Sequence, residues 1–131
     1  MEKQTAGRDA LGAFAPKFAQ LNDDVLFGEV WSREDKLCLR DRSLATVSAL
    51  VGAGITDSSL RYHLETAKKN GVTQTEMSEL LTHLAFYAGW PRAWAAFRMA
   101  SEVYGQTETP SEGVPQAYAR SIPFPIGAPN D

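Results

Sequence analysis

Apolar side chains recur along this chain at spacings of three and four, which predicts an all-α fold built as a bundle of about six helices. In the first segment, residues 5–21, Leu11, Phe14, Phe18 and Leu21 make one apolar stripe, expected to face inward. Asn22-Asp23-Asp24 then reads as the cap of a short second helix carrying Val25, Leu26, Val30 and Trp31. A polar link leads to a third helix over residues 39–51, with Leu44, Val47, Leu50 and Val51 inward, stopped by Gly52-Ala53-Gly54. The fourth begins near Asp57 or Ser58, reaches Asn70 and buries Leu60, Leu64 and Ala67. It halts at Asn70-Gly71, because glycine enters the left-handed conformation without a Cβ penalty. Thr73 and Glu76 are spaced as a capping box for a fifth helix, residues 74–88, over Met77, Leu80, Leu81, Leu84 and Ala88. Its other flank carries Glu76, Glu79, His83 and Tyr87, interrupted by Phe86, so a second helix or a second subunit is expected to cover it. Gly89-Trp90-Pro91 ends that helix, and Pro91 suits the first turn of a sixth, which reaches about Tyr104. Ala93, Ala96, Ala100 and Val103 line one side of it, Trp94 and Phe97 another.

Beyond Gly105 the helical pattern dissolves. Five of the seven prolines fall there, which excludes a helix or an interior strand. Yet Tyr118, Ile122, Phe124 and Ile126 carry more apolar area than a solvated tail would. The expected organisation is one helical domain, residues 1–104, with an extended tail, 105–131, packed on it or on a neighbouring subunit.

With 131 residues and 44% hydrophobic content the chain is one domain's worth. A net charge of -3, with basic residues interspersed among acids, argues against a nucleic-acid partner. No apolar run approaches the roughly 20 residues that span a bilayer, and the polar start lacks a signal-peptide core, so no membrane partner and a cytoplasmic location are expected. The single cysteine, Cys38, excludes an internal disulfide and any metal site built mainly on thiolates.

Periodicity alone does not dictate a reaction. His63 falls at the edge of the fourth helix's apolar stripe, one turn after Ser59, and is expected to be half-buried, as a structural residue or as an acid–base group. Glu79 and His83, four apart, form either a surface ion pair or a proton-transfer pair. Two histidines and a carboxylate are also a known metal-ligand set, but the spacings that project ligands from one helix are missing, and no metal is expected. Arg42 reads most simply as ion-paired or solvated, and Trp31, Trp90 and Trp94 as core or interface.

Taken in order, Gly28-Glu29-Val30-Trp31, Arg42-Ser43-Leu44, His63 with Ala67 and Asn70-Gly71-Val72-Thr73, Glu76, Glu79, and above all Tyr87-Ala88-Gly89-Trp90-Pro91 form a specific series. Through it, residues 27–104 resemble the carboxymuconolactone decarboxylase family, within the wider alkylhydroperoxidase D-like fold. The resemblance implies an all-helical subunit assembling into trimers or hexamers, with active sites near subunit contacts and a place in aromatic catabolism. It also separates two branches. The redox branch carries a Cys-x-x-Cys pair ahead of the helix histidine, where this chain has Thr56 and Ser59, and a hydroxyl cannot replace a thiolate as peroxide reductant. The non-redox branch removes a carboxylate from a muconolactone without a cofactor, since the substrate is its own electron sink. On that match His63 is the proton donor or oxyanion partner, with Glu79 and His83 as orienting or proton-transfer groups. Arg42 would hold a carboxylate, Tyr87 would donate a hydrogen bond, and Trp31 and Trp90 would wall the pocket. His83 stands where the decarboxylases more often carry an amide, which leaves the substrate open among small lactones and keto acids. A peroxidase-like oxidoreductase using Cys38 and a non-catalytic oligomeric binding protein are the alternatives.

Overall fold

The computed structural model describes residues 3–105, and the expectations for the tail lie outside them. The regular elements of the described residues are all helices, with no strand. They divide into two compact units, one up to Arg42 and one from Ser43.

The first unit departs from its sequence pattern. Instead of one helix over residues 5–21 there are α1 (Ala6–Leu11), a break, α2 (Pro16–Gln20) and a π-helix (Leu21–Val30). Pro16 forces the break: it has no N–H for the preceding turn, and it opens α2 instead. The stripe expected to face inward is largely open, with Phe14 88% exposed and Leu11, Phe18 and Leu21 also exposed; Ala19, Phe27 and Trp31 are buried instead. Nor does Asn22-Asp23-Asp24 cap a helix beside it. The buried Asp23 carboxylate accepts from Gly7 N–H and Arg8 N–H at 2.8 and 3.0 Å, capping the start of α1 from across the unit, while Arg8 grips Asp24 at 2.8 Å. Burial would raise the Asp23 pKa, but the hydrogen bonds from Asn22, Arg8 and Gly7 together with the Arg8 charge outweigh it and hold the group below the ordinary carboxylate value. Asp23→Ala is expected to lower the unit's thermal midpoint by several degrees, read by circular dichroism. Because the folded pKa is depressed, this contribution is complete above the ordinary carboxylate value and is lost as the pH falls through the folded one, so wild type and variant converge in strong acid.

The second unit follows its pattern closely. α3 (Leu39–Gly52) runs into it; α4 (Ser58–Lys69), α5 (Gln74–Ala88) and α6 (Trp90–Gly105) complete it. Asp57 caps α4 by accepting from Ser59 N–H at 2.9 Å, and the Thr73/Glu76 capping box opens α5 with both reciprocal bonds. α6 is the central element, packing on both α4 and α5. Ala96 and Ala100 let the neighbouring helices close around it, with Val47, Val51, Leu60, Leu64, Met77, Leu81 and Val103 filling the core. On α5 the fully buried line is Met77, Leu81 and Ala85, while Leu80, Leu84 and Ala88 pack half-buried beside it. One residue, Gly89 at φ +110°, joins α5 to α6, a conformation that side chains other than glycine's rarely adopt.

Polar ties cross the same core. Arg61 on α4 pairs with Glu102 on α6, Lys68 donates to Val103 O at 3.2 Å, and Asn70 donates to the buried Ser43 hydroxyl at 3.0 Å. At the end of α6 the buried Tyr104 hydroxyl donates to Val72 O at 2.9 Å, and burial followed by the nearby Glu76 charge pushes its pKa well up. Tyr104→Phe removes the only donated hydroxyl bond there and is expected to cost about 1 kcal/mol in urea unfolding, the usual net worth of one buried hydrogen bond.

Candidate active site

α4 carries His63 one turn into the helix, where the 3.6-residue repeat sets it beside Leu60, Leu64 and Ala67 rather than among them. The ring is half-buried with Nδ1 enclosed, and it meets the Tyr62 ring edge-on at 4.9 Å. Burial lowers its pKa from the ordinary histidine value, so at neutral pH the imidazole is uncharged. That state suits a hydrogen-bond donor to a developing oxyanion and does not suit an imidazolium reservoir. Just ahead of it lie half-buried Thr56 and exposed Ser59.

The loop before α4 is held from a residue that sequence reasoning passed over. Arg92, in the first turn of α6, donates to Gly52 O at 2.8 Å and packs its guanidinium against Gly54. Its only signal in the sequence is its place after Trp90-Pro91, and charge alone did not distinguish it from the other arginines. By gripping the end of α3 it sets the lead into α4, and hence where His63 begins its helix.

On α5 the other candidates face outward. Glu79 and His83 are exposed and form no ion pair with each other; the His83 ring instead lies 4.9 Å from that of Tyr87, tilted by 32°. Tyr87 is 79% exposed. Around the Gly89 joint, Phe86 and Trp90 meet edge-to-face at 5.6 Å, so the end of α5 and the start of α6 present a continuous aromatic surface. Thus the structure brings His83 to Tyr87 and Phe86 to Trp90, and places His63 on a different helix from all four.

The two candidates of the first unit have other neighbours. Trp31 is buried and stacks on Phe27 with ring centres 6.0 Å apart. Arg42 donates through Nε to Leu37 O and through Nη2 to Arg33 O, both at 3.0 Å, fastening the turn that leads into α3. Cys38, exposed and in no disulfide, is the residue before α3, and its carbonyl accepts from Arg42 N–H at 3.0 Å, as an N-cap residue's does. Among the described residues no group of three or more histidine, cysteine or acidic side chains is arranged to hold a metal ion, and no helix is long and apolar enough to cross a membrane.

Comparison with known proteins gives this arrangement a context. The sequence model of the carboxymuconolactone decarboxylase family matches residues 16–102, which span α2, the π-helix, α3, α4, α5 and nearly all of α6. A 4-carboxymuconolactone decarboxylase of Acinetobacter baylyi is 42% identical over 94 residues, covering 72% of this chain and 69% of that protein. Matched by that family model over more than half of its length, and by this relative, the chain belongs to the carboxymuconolactone decarboxylase family.

Proposed function

We propose that this protein is a carboxy-lyase that removes CO2 from a small carboxylated lactone, with 4-carboxymuconolactone, named for its relative, as the first substrate to test. In that reaction the bond between the carboxylate and a saturated ring carbon breaks. The electron pair passes through the ring double bond to the lactone carbonyl oxygen, and a proton then returns to carbon. The charge that develops on oxygen needs a donor that water cannot displace. The observation that supports this reading best is the half-buried imidazole of His63 on α4, whose burial lowers its pKa and so favours the uncharged ring that can offer N–H to an oxyanion. We assign His63 that role, Glu79 and His83 the transfer or orientation of the returning proton, and Tyr87 and Trp90 the binding of the ring. Carbon dioxide release from purified protein supplied with 4-carboxymuconolactone is expected. No release from it or from related lactones and keto acids would reject the assignment, and peroxide consumption abolished by Cys38→Ser would favour the oxidoreductase alternative.

The working form is proposed to be a cytoplasmic homo-oligomer, a trimer or hexamer. Exposed Phe14 and Phe18 in one unit and Phe86 and Tyr87 in the other support it, since that much open aromatic surface is usually covered. Sedimentation velocity showing a monomer at micromolar concentration would remove this part of the reading.

A further inference from the structure

The last turn of α3 closes as a Schellman motif. Gly54, at φ +78°, donates its N–H to Val51 O at 3.0 Å, and Ile55 donates to Leu50 O at 2.9 Å. That pairing does not reach the next carbonyl, Gly52 O, and Arg92 Nη1 takes it at 2.8 Å. The remainder of the guanidinium lies against Gly54, where an added Cβ would stand 3.2 Å from Nε, 3.4 Å from Cζ and 3.5 Å from Nη2. Position 54 is therefore held to glycine twice, by its backbone angle and by the arginine packed on it.

The charge is placed for α3 and against α6. A cation is favourable at a helix C-terminus, where Gly52 lies, and unfavourable in a helix's first turn, where Arg92 lies. Arg92 thus serves the α3–α4 loop at some expense to its own helix. From Gly54 two residues, Ile55 and Thr56, lead to Asp57, whose carboxylate accepts from Ser59 N–H at 2.9 Å and starts α4. His63 follows that cap by six residues, about 9 Å along the helix. A helical side chain leans toward the N-terminus of its helix and covers the turn before its own Cα. For His63 that is the turn of Ser59 and Leu60, so whatever fixes the entry into α4 also bounds the space of the imidazole.

We infer that Arg92 is a positioning residue for His63: by clamping Gly52 and Gly54 it holds the entry of α4 in one place and, through it, the imidazole. The effect on turnover rests on the carboxy-lyase reading; the effect on the ring does not depend on which reaction the protein performs.

Steady-state kinetics and proton NMR of the full-length protein test this together. With two histidines in the chain, the His63 signals are those lost in His63→Ala. Arg92→Ala is expected to lower kcat about ten-fold, because small misplacements of a catalytic group are costly, with KM within about two-fold of wild type. The His63 titration, held below the ordinary value of 6.5 by burial, should move up toward it as the entry of α4 loosens. Gly54→Ala keeps every charge and displaces the guanidinium, so it should move both readouts the same way. Arg92→Lys, whose ammonium can still donate to Gly52 O, should restore part of each. A raised KM with an unmoved His63 titration would make Arg92 a substrate-binding group, and a lower urea midpoint with both readouts unmoved would make it a purely structural tie; either result overturns the proposal. If wild type releases no CO2 from any lactone or keto acid, the carboxy-lyase reading fails and the NMR arm still decides: a titration that moves in both Arg92→Ala and Gly54→Ala supports the positioning role, and one that stays put overturns it.

Discussion

His63→Ala is expected to reduce turnover at least about a hundred-fold, the lower end of what a positioned acid–base or oxyanion group contributes. Helical content and assembly should be unchanged, because the ring sits at the edge of the α4 stripe while Leu60, Leu64 and Ala67 fill the core beneath it. The loss should fall on kcat with little change in KM, since an interaction made to the developing oxyanion is absent from the bound substrate. The pH profile separates the possible roles. If the uncharged imidazole is the working form, kcat is flat near neutrality and declines in acid as the ring gains a proton, at a pH below the ordinary histidine value because burial lowers the pKa. A proton-donating imidazolium would give the opposite slope, with activity falling as the pH rises through that value. Folding stability carries the same signature. With the folded pKa depressed, the unfolded chain binds more protons between that value and the ordinary histidine value of 6.5, so stability drops as the pH is lowered through this window and levels off beneath it. His63→Ala should flatten this slope. Wild-type turnover in His63→Ala would reject the residue as the catalytic group.

The adjacent position gives the opposite result. Leu64 is fully buried, and Leu64→Ala leaves a cavity in the layer between α4 and α6, for which large-to-small core changes cost about 2–5 kcal/mol. Against a typical total of about 5–15 kcal/mol this is a large share, so the urea midpoint should fall steeply. The kcat of the fraction that stays folded should remain within a few-fold of wild type. Equal loss of activity per folded molecule from both substitutions would mean that His63 acts only by packing.

The sequence was most legible where its signals are local. Asp57, the Thr73/Glu76 box, Asn70-Gly71 and Gly89-Trp90-Pro91 each act on backbone groups within a few residues, and the ends of α4, α5 and α6 fall where they indicate. The half-burial of His63 was legible for the same reason, since its angle from Leu60 and Leu64 follows from helix geometry alone. The first unit was misread because its decisive interactions are long-range. Leu11, Phe14, Phe18 and Leu21 have helical spacing, and nothing in that spacing reveals that Pro16 divides them or that the stripe faces outward. Asp23 has the composition of a local cap, yet its carboxylate reaches Gly7 and Arg8 instead. Arg42 and Arg92 were equally opaque, because a backbone carbonyl as partner leaves no trace in the sequence.

The Gly89 joint constrains how this scaffold can vary. With only one residue outside the helices, inserting one there would turn α6 by about 100°, swinging the buried Ala100 into the exposed direction of Ser101 and Arg98 into the half-buried place of Met99. Length changes should therefore be rejected at this point.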